Sequence, residues 1–326
     1  MKRCKKQSKF KRSVLAYVAA GLVMVYLSYL LPGLLPGDFV EAMYANSHVT
    51  LTAEQESELK AYYSAQEHTF GEYLVDLVTL DWGYSYAFLT PVSELFLEAL
   101  PWTLLLMGGA HLLSMALGFI AGVETAWRRG GRLEKTGVGA MTVLEGIPEI
   151  GSGVLLLLIF ALHLGWFPAA GAETAYAEHS AGGHLVDVLH HLALPIVTLM
   201  LAYLPGNFLM ARASVVMTLK NQFVQTARGK GLRARRIRYA HVARNALLPM
   251  VTRFGLRIAF MITGALVVET LHSYPGLGTL LFNGIAVRDL PLIQAIVLFS
   301  SLIVLAVNVI LEWTYTVLDP RVRDAE

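Results

Sequence analysis

The chain has 326 residues, 55% hydrophobic and 15% charged, with a mean hydropathy of +0.54. A water-soluble domain carries about 25% charged residues, so this composition excludes a soluble globular fold and indicates an integral membrane protein. The net charge of +2 is uninformative, and the single cysteine, Cys4, excludes an intrachain disulfide and has no partner ligands for a metal.

Met1 to Arg12 is basic, and an apolar run follows from Ser13 to about Leu35. The run exceeds the ~7–15 residues of a signal-peptide core and no small-x-small site follows it. It reads as an uncleaved first spanning helix. Residues 36–94 are polar and acidic, with Lys60 their one Lys or Arg. There Thr52 and Gln55 have the spacing of a capping box that opens a short helix through Tyr63.

Five more apolar segments follow, at Leu95–Thr125, Val138–Leu164, His190–Met210, Met250–Leu271 and Leu292–Leu318. Each reaches the ~20 residues that a helix needs to cross a hydrocarbon core. The expected fold class is all-α, a polytopic membrane protein of about six spanning helices. Pro195 and Pro205 mark the fourth span as the one to kink or break. Ala110, Ser114, Gly118 and Gly122 recur every fourth residue, a small-residue face suited to close helix approach.

Charge placement sets the expected topology. With six spans, 24 of the 26 Lys and Arg fall on one side, leaving Lys60 and Arg288 on the other. The positive-inside rule then puts both termini and the loop between the fourth and fifth spans in the cytoplasm. The expected division is 1–35 (basic tail and first span), 36–94 (extracytoplasmic), 95–318 (five-helix core, with a cytoplasmic loop at 213–249) and 319–326 (cytoplasmic tail).

That loop is the most informative stretch. Gln222 to Pro249 holds seven Lys or Arg and no acid. Phe223, Val224 and Ala227 form a narrow apolar stripe for a short helix that Gly229 and Gly231 would end. A second helix would run from Ile237 to Pro249. Together they would present a small knob bearing Thr226 and Ala227. Such a loop could fix topology, bind anionic lipid, or dock a partner. Nucleic acid is disfavoured because aromatic interleaving is nearly absent.

The residues Gln225-Thr-Ala-Arg-Gly-Lys-Gly-Leu232 and Arg244-Asn-Ala-Leu-Leu-Pro249 resemble the coupling loop of ABC-importer permeases, in particular the dipeptide/oligopeptide/nickel branch. The family's general motif begins Glu-Ala-Ala, so Gln225 and Thr226 depart from it. The resemblance extends to Leu35-Pro-Gly-Asp38, Asp81-Trp-Gly-Tyr-Ser85, Leu164-Gly-Trp-Phe-Pro168, Glu269 with Ser273-Tyr-Pro-Gly-Leu-Gly278, Asp289-Leu-Pro-Leu-Ile-Gln294 and Leu318-Asp-Pro-Arg321.

The resemblance implies a non-catalytic subunit of a bacterial or archaeal cytoplasmic membrane. It would form half of a pathway for di- or oligopeptides or a related small solute, with no cofactor of its own. ATP would be bound by two cytoplasmic ABC ATPase subunits docked on this chain and on a second homologous permease. An extracytoplasmic solute-binding protein would deliver cargo. Docking roles fall to Gln225, Thr226, Ala227, Gly231 and Leu232, with Arg236, Arg244 and Pro249 as further candidates. A phosphate-binding loop is missing: Gly130-Gly-Arg-Leu-Glu-Lys-Thr136 has Glu134 where the second glycine must stand.

Acids within membrane segments are costly and are candidates for function. Glu145 and Glu149, four apart, would share a helix face and favour a cationic cargo, or else contact partner groups. Asn207 and Glu269 complete the candidate pathway set, Glu269 reading more readily as structural beside the Tyr274-Pro-Gly turn. His184, His190 and His191 invite a nickel or metal-chelate alternative, although no metal ligand set is assigned. A self-sufficient secondary transporter is the alternative from another class, but no internal repeat is visible.

Overall fold

A computed structural model describes residues 2–45, 52–64, 69–79, 81–177, 180–259 and 265–318. Among the described residues the regular structure is all helical, apart from an isolated bridge between Tyr84 and Pro91. In chain order the helices are α1 (Lys2–Gly33), α2 (Phe39–Ala45), α3 (Ala53–Ser64), α4 (Phe70–Thr79), α5 (Val92–Trp127), α6 (Arg132–Glu145) and α7 (Glu149–Leu156, continued as a π-helix over Leu157–His163). Then come α8 (Ala181–Thr218), α9 (Gln222–Gly229), α10 (Ala234–Arg236, continued as a π-helix over Ile237–Ala243), α11 (Arg244–Ala259), α12 (Leu266–Leu271), α13 (Leu277–Val287) and α14 (Leu290–Leu318).

Among the described residues four stretches are long and apolar enough to cross a membrane: Leu15–Gly33, Val92–Trp127, Gly182–Thr218 and Leu290–Ile310. A fifth candidate is the pair α6 and α7, bent by 95° at the break between them. The expected span Met250–Leu271 is divided between α11 and α12, and residues 260–264 lie outside the described ones, as does the tail 319–326. The chain divides into two compact units, residues 1–101 with 276–326, and residues 102–275.

In the first unit α1 lies along α14. Gln294 Nε2 donates to the Tyr29 carbonyl at 3.2 Å, and Tyr73 on α4 meets Ser28 on α1 at 2.9 Å. The expected capping box is present: Gln55 N donates to Thr52 Oγ1 at 3.3 Å and Thr52 N to Gln55 Oε1 at 3.0 Å. Asp38 caps α2 by accepting from Glu41 N at 2.7 Å, and Lys60 reaches it at 3.1 Å. Burial pushes the Asp38 carboxyl up, but that N–H and the Lys60 ammonium outweigh it and hold it below its usual value. Two motifs 204 residues apart converge here. Fully buried Asp289 accepts from Ser85 Oγ and, at 3.0 Å, from Ala87 N.

In the second unit α8 is the centre, with α6, α7 and α11 against it. The small-residue face of α5 is used as expected. A Cβ on Gly118 would stand 2.9 Å from Asn207 Cβ, and one on Gly122 would stand 2.7 Å from Ala211 Cβ. Only glycine admits so close an approach.

Two expectations are corrected. Pro195 and Pro205 do not break their span: α8 runs unbroken through both. A proline in a membrane helix is tolerated where neighbouring groups re-satisfy the carbonyls it frees. The break falls instead at Gly146-Ile147-Pro148. Pro148 lacks an N–H, and the residue before a proline is driven out of the helical region. Pro148 takes ψ 142 and becomes the N-cap of α7. Glu145 therefore ends one helix and Glu149 begins another, and they do not share a helix face.

Candidate functional site

The basic loop folds into a two-faced short helix. Val224 and Ala227 of α9, three residues apart, are 1% and 5% exposed. They join Val123, Val215, Ile237 and Val242 in an apolar cluster flanked by Trp127 and Leu232. Gln225, Thr226 and Arg228 stay exposed. Thr226 Oγ1 turns back to the Gln222 carbonyl at 3.1 Å, so the hydroxyl is spent within the helix.

The end of α9 is a Schellman motif. Gly231 takes φ +68, its N–H donates to the Arg228 carbonyl at 2.9 Å, and Leu232 N donates to the Ala227 carbonyl at 3.3 Å. The left-handed backbone suits glycine alone without cost. Leu232, next in the chain, turns inward to the cluster. Two docking candidates thus part from the rest. Ala227 is not on the exposed knob expected of it: it faces inward and roots the helix. Leu232 is partly buried beside it.

Arg236 and Arg244 are exposed. Pro249 is exposed too, but it does not end the second helix: α11 continues through it to Ala259. The stretch ahead of α11 is a π-helix, Ile237–Ala243, an irregularity that accommodates an extra residue per turn.

Three residues that sequence reasoning did not select fix this loop to α5. Glu124 accepts from Arg238 Nη1 at 2.5 and 2.6 Å and from Tyr239 Oη at 2.5 Å. The hydrogen bond to Glu124 pushes the Tyr239 phenol up. Arg238 Cζ lies 5.1 Å from the Trp127 ring centroid and Arg228 Cζ lies 5.9 Å from it. The available signal was an acid and a Trp in the last turn of an apolar helix, facing a loop without acids. Glu134 has a comparable role: it bonds Arg212 Nε at 2.9 Å and Gly130 N at 2.6 Å. This links α6 to α8 and accounts for an acid where a phosphate loop would need glycine.

The pathway candidates do not form one cluster. Asn207 is 7% exposed in the α5–α8 seam, where its Nδ2 donates to Ser114 Oγ at 3.1 Å. Glu269 is fully buried and accepts from Thr103 Oγ1 at 2.6 Å, while its carbonyl accepts from Tyr274 N at 2.8 Å. Both are placed as packing links. Glu145 is exposed and Glu149 half-buried at the break, close to Arg253 and Arg257 of α11. The three histidines are separately engaged: His184 with Glu173 at 2.7 Å, His190 with the Trp166 carbonyl at 2.8 Å and His191 with the Asp187 carbonyl at 3.0 Å.

Comparison with known proteins fits this arrangement. Residues 114–324 match the family described as binding-protein-dependent transport system inner membrane component. The chain is 32% identical over 313 residues to the oligopeptide transport system permease protein AppB of Bacillus subtilis, covering 96% of this chain and 98% of that one. It is 32% identical over 320 residues to the glutathione transport system permease protein GsiC of Pectobacterium atrosepticum, at 96% and 98% coverage. It is 32% identical over 321 residues to the di/tripeptide transport system permease protein DppB of Pseudomonas aeruginosa, at 91% and 93% coverage.

Proposed function

Because the chain belongs to the family of inner-membrane components of binding-protein-dependent transport systems, we propose that it is a permease subunit of an ATP-driven importer of di- or oligopeptides, coupled to its ATPase through α9. The observation that carries this reading is the two-sidedness of α9. One face is rooted by Val224 and Ala227, and the other presents Gln225, Thr226 and Arg228 to solvent.

A force applied to the exposed face passes into the apolar cluster. From there it reaches α5 through Glu124 and Trp127, and α8 through Val215. Those two helices are locked at Gly118 and Gly122, so they move as one body. ATP binding by two partner ATPase subunits, one docked here and one on a second permease, would tilt the helices and open the pathway to the side where a solute-binding protein waits. On this reading α9 and both termini lie in the cytoplasm, which the distribution of Lys and Arg supports. The peptide cargo is inferred from the relatives, whose names specify oligopeptides, di- and tripeptides and glutathione.

The test is uptake of a labelled tripeptide by the reconstituted complex. Thr226→Trp enlarges an exposed side chain without touching the cluster. It is expected to leave the chain at its normal membrane level, to reduce co-purification with the ATPase and to reduce uptake at least tenfold (about 1.4 kcal/mol of coupling). Normal uptake with Trp at 226 would refute docking through this face.

A further inference from the structure

Four charged side chains lie near one another where the α6–α7 span is broken. Glu145 closes α6 and Glu149 opens α7, and Arg253 and Arg257 stand one turn apart on α11. Arg253 lies against α8 at Gly206: a Cβ there would collide with the guanidinium and would stand 3.6 Å from Glu145 Oε1. Glu145 and Arg253 therefore border one small volume. Arg257 lies over the Tyr203 ring at 4.7 Å, and Tyr203 stacks on His111 at 4.4 Å. The charge of Arg257 also acts on Glu149.

Each acid thus has an arginine nearby. Even so, among the described residues no ion pair within 4.0 Å joins either acid to either arginine. Glu149 Oε1 and Arg253 Nε are both shut off from solvent and have no hydrogen-bond partner. Leaving buried charges of both signs unjoined in a membrane segment is costly. Elsewhere in this unit the acids are fully satisfied, as at Glu124 and Glu134. Glu145 is also at the end of a helix where a negative charge opposes the helix dipole.

The two arginines cancel the acids, so the cluster does not suit the cationic cargo that Glu145 and Glu149 alone would favour. Two negative and two positive poles, near but not in contact, are complementary to a molecule that carries one charge of each sign.

We propose that this cluster is a transient binding station for a zwitterion with a free ammonium and a free carboxylate, the acids taking the ammonium and the arginines the carboxylate. This inference rests on the peptide-importer reading and names the residues that would read the cargo's two ends. Arg253 and Arg257 enter as specificity residues, and Tyr203, backed by His111, holds Arg257 in place.

The test uses the full complex in liposomes, with trialanine as cargo and binding-protein-stimulated ATP hydrolysis measured in the same preparation. Glu149→Gln and Arg253→Gln are each expected to lower uptake by about tenfold or more, with hydrolysis kept within about twofold. The deciding variant is the pair Glu145→Gln with Arg253→Gln, which leaves no lone charge behind. If these charges serve only each other, the pair transports like wild type, and the proposal is overturned. If they bind cargo, the pair is at least as impaired as the single variant. Should that pair fail to assemble, Glu149→Gln with Arg257→Gln carries the same two outcomes. No trialanine uptake by the wild-type complex would instead overturn the peptide reading and this inference with it. Equal uptake by wild type and variants would overturn this inference alone.

Discussion

Gly231 holds α9 through a single backbone angle. At φ +68 an L-residue costs about 1–2 kcal/mol. A Cβ there would meet nothing within 4 Å, so the penalty is conformational and not steric. Gly231→Val is expected to leave membrane insertion intact, loosen the end of α9 and lower uptake per inserted molecule several-fold, with Gly231→Ala less affected. Immunoblotting of membranes alongside uptake checks both halves, and loss of insertion would return the loop to a purely topological role. Ala227 behaves differently because it is buried. Ala227→Leu overpacks the cluster at about 1–3 kcal/mol and should lower the melting temperature of the complex. Sequence reading grouped Ala227 with Gln225 and Thr226 because the motif is contiguous. The three-residue spacing of Val224 and Ala227 already marked them as the inward face. What the spacing did not indicate was the surface they meet, since Trp127 and Val215 come from distant segments.

Among the elements, the end of α5 is where the loop is held. Glu124→Gln removes a charge-assisted contact in which Arg238 Nη1 reaches both carboxylate oxygens, and leaves that guanidinium half-buried beside Trp127. The expected loss is about 2 kcal/mol of stability, read as a lower melting temperature. Arg238→Lys should keep part of the Glu124 contact, since both bonds come from the single nitrogen Nη1, but lose the planar guanidinium over Trp127. In the first unit, Asp38→Ala should cost about 1 kcal/mol through the lost N-cap of α2. The folded carboxyl lies below its ordinary value of 3.8. The Asp38 contribution is therefore fully present above about pH 5 and fades as pH falls through the lowered folded value. Thermal melts of wild type and Asp38→Ala should differ at neutral pH and converge in strong acid. Apolar run length located four long apolar helices among the described residues, but proline was a poor guide to where helices break. Pro195 and Pro205 are absorbed within α8, where neighbouring helices surround the chain. Pro148 comes two residues after Gly146, and there the helix turns by 95°.

At the scale of the molecule, composition, charge sidedness and dispersed motifs were enough to indicate an all-α polytopic permease, and the family match agrees. Motifs far apart in sequence also served as structural marks, as Ser85 and Asp289 show by bonding each other across 204 positions. Pairing between acids and bases was not legible. Glu124 and Glu134 pair with bases that only the fold brings near, and the fold likewise sets Arg253 and Arg257 near Glu145 and Glu149, which in the sequence stand as a lone acidic pair. The central claim is that the exposed face of α9 receives the ATPase. With Cys4 replaced by alanine the chain has no cysteine, so one cysteine can be placed at will in the assembled complex. Cysteine at 226 should cross-link to an ATPase subunit, and cysteine at 227, buried against α5 and α8, should not. Cross-linking from 227 but not 226, or from neither, would contradict the account.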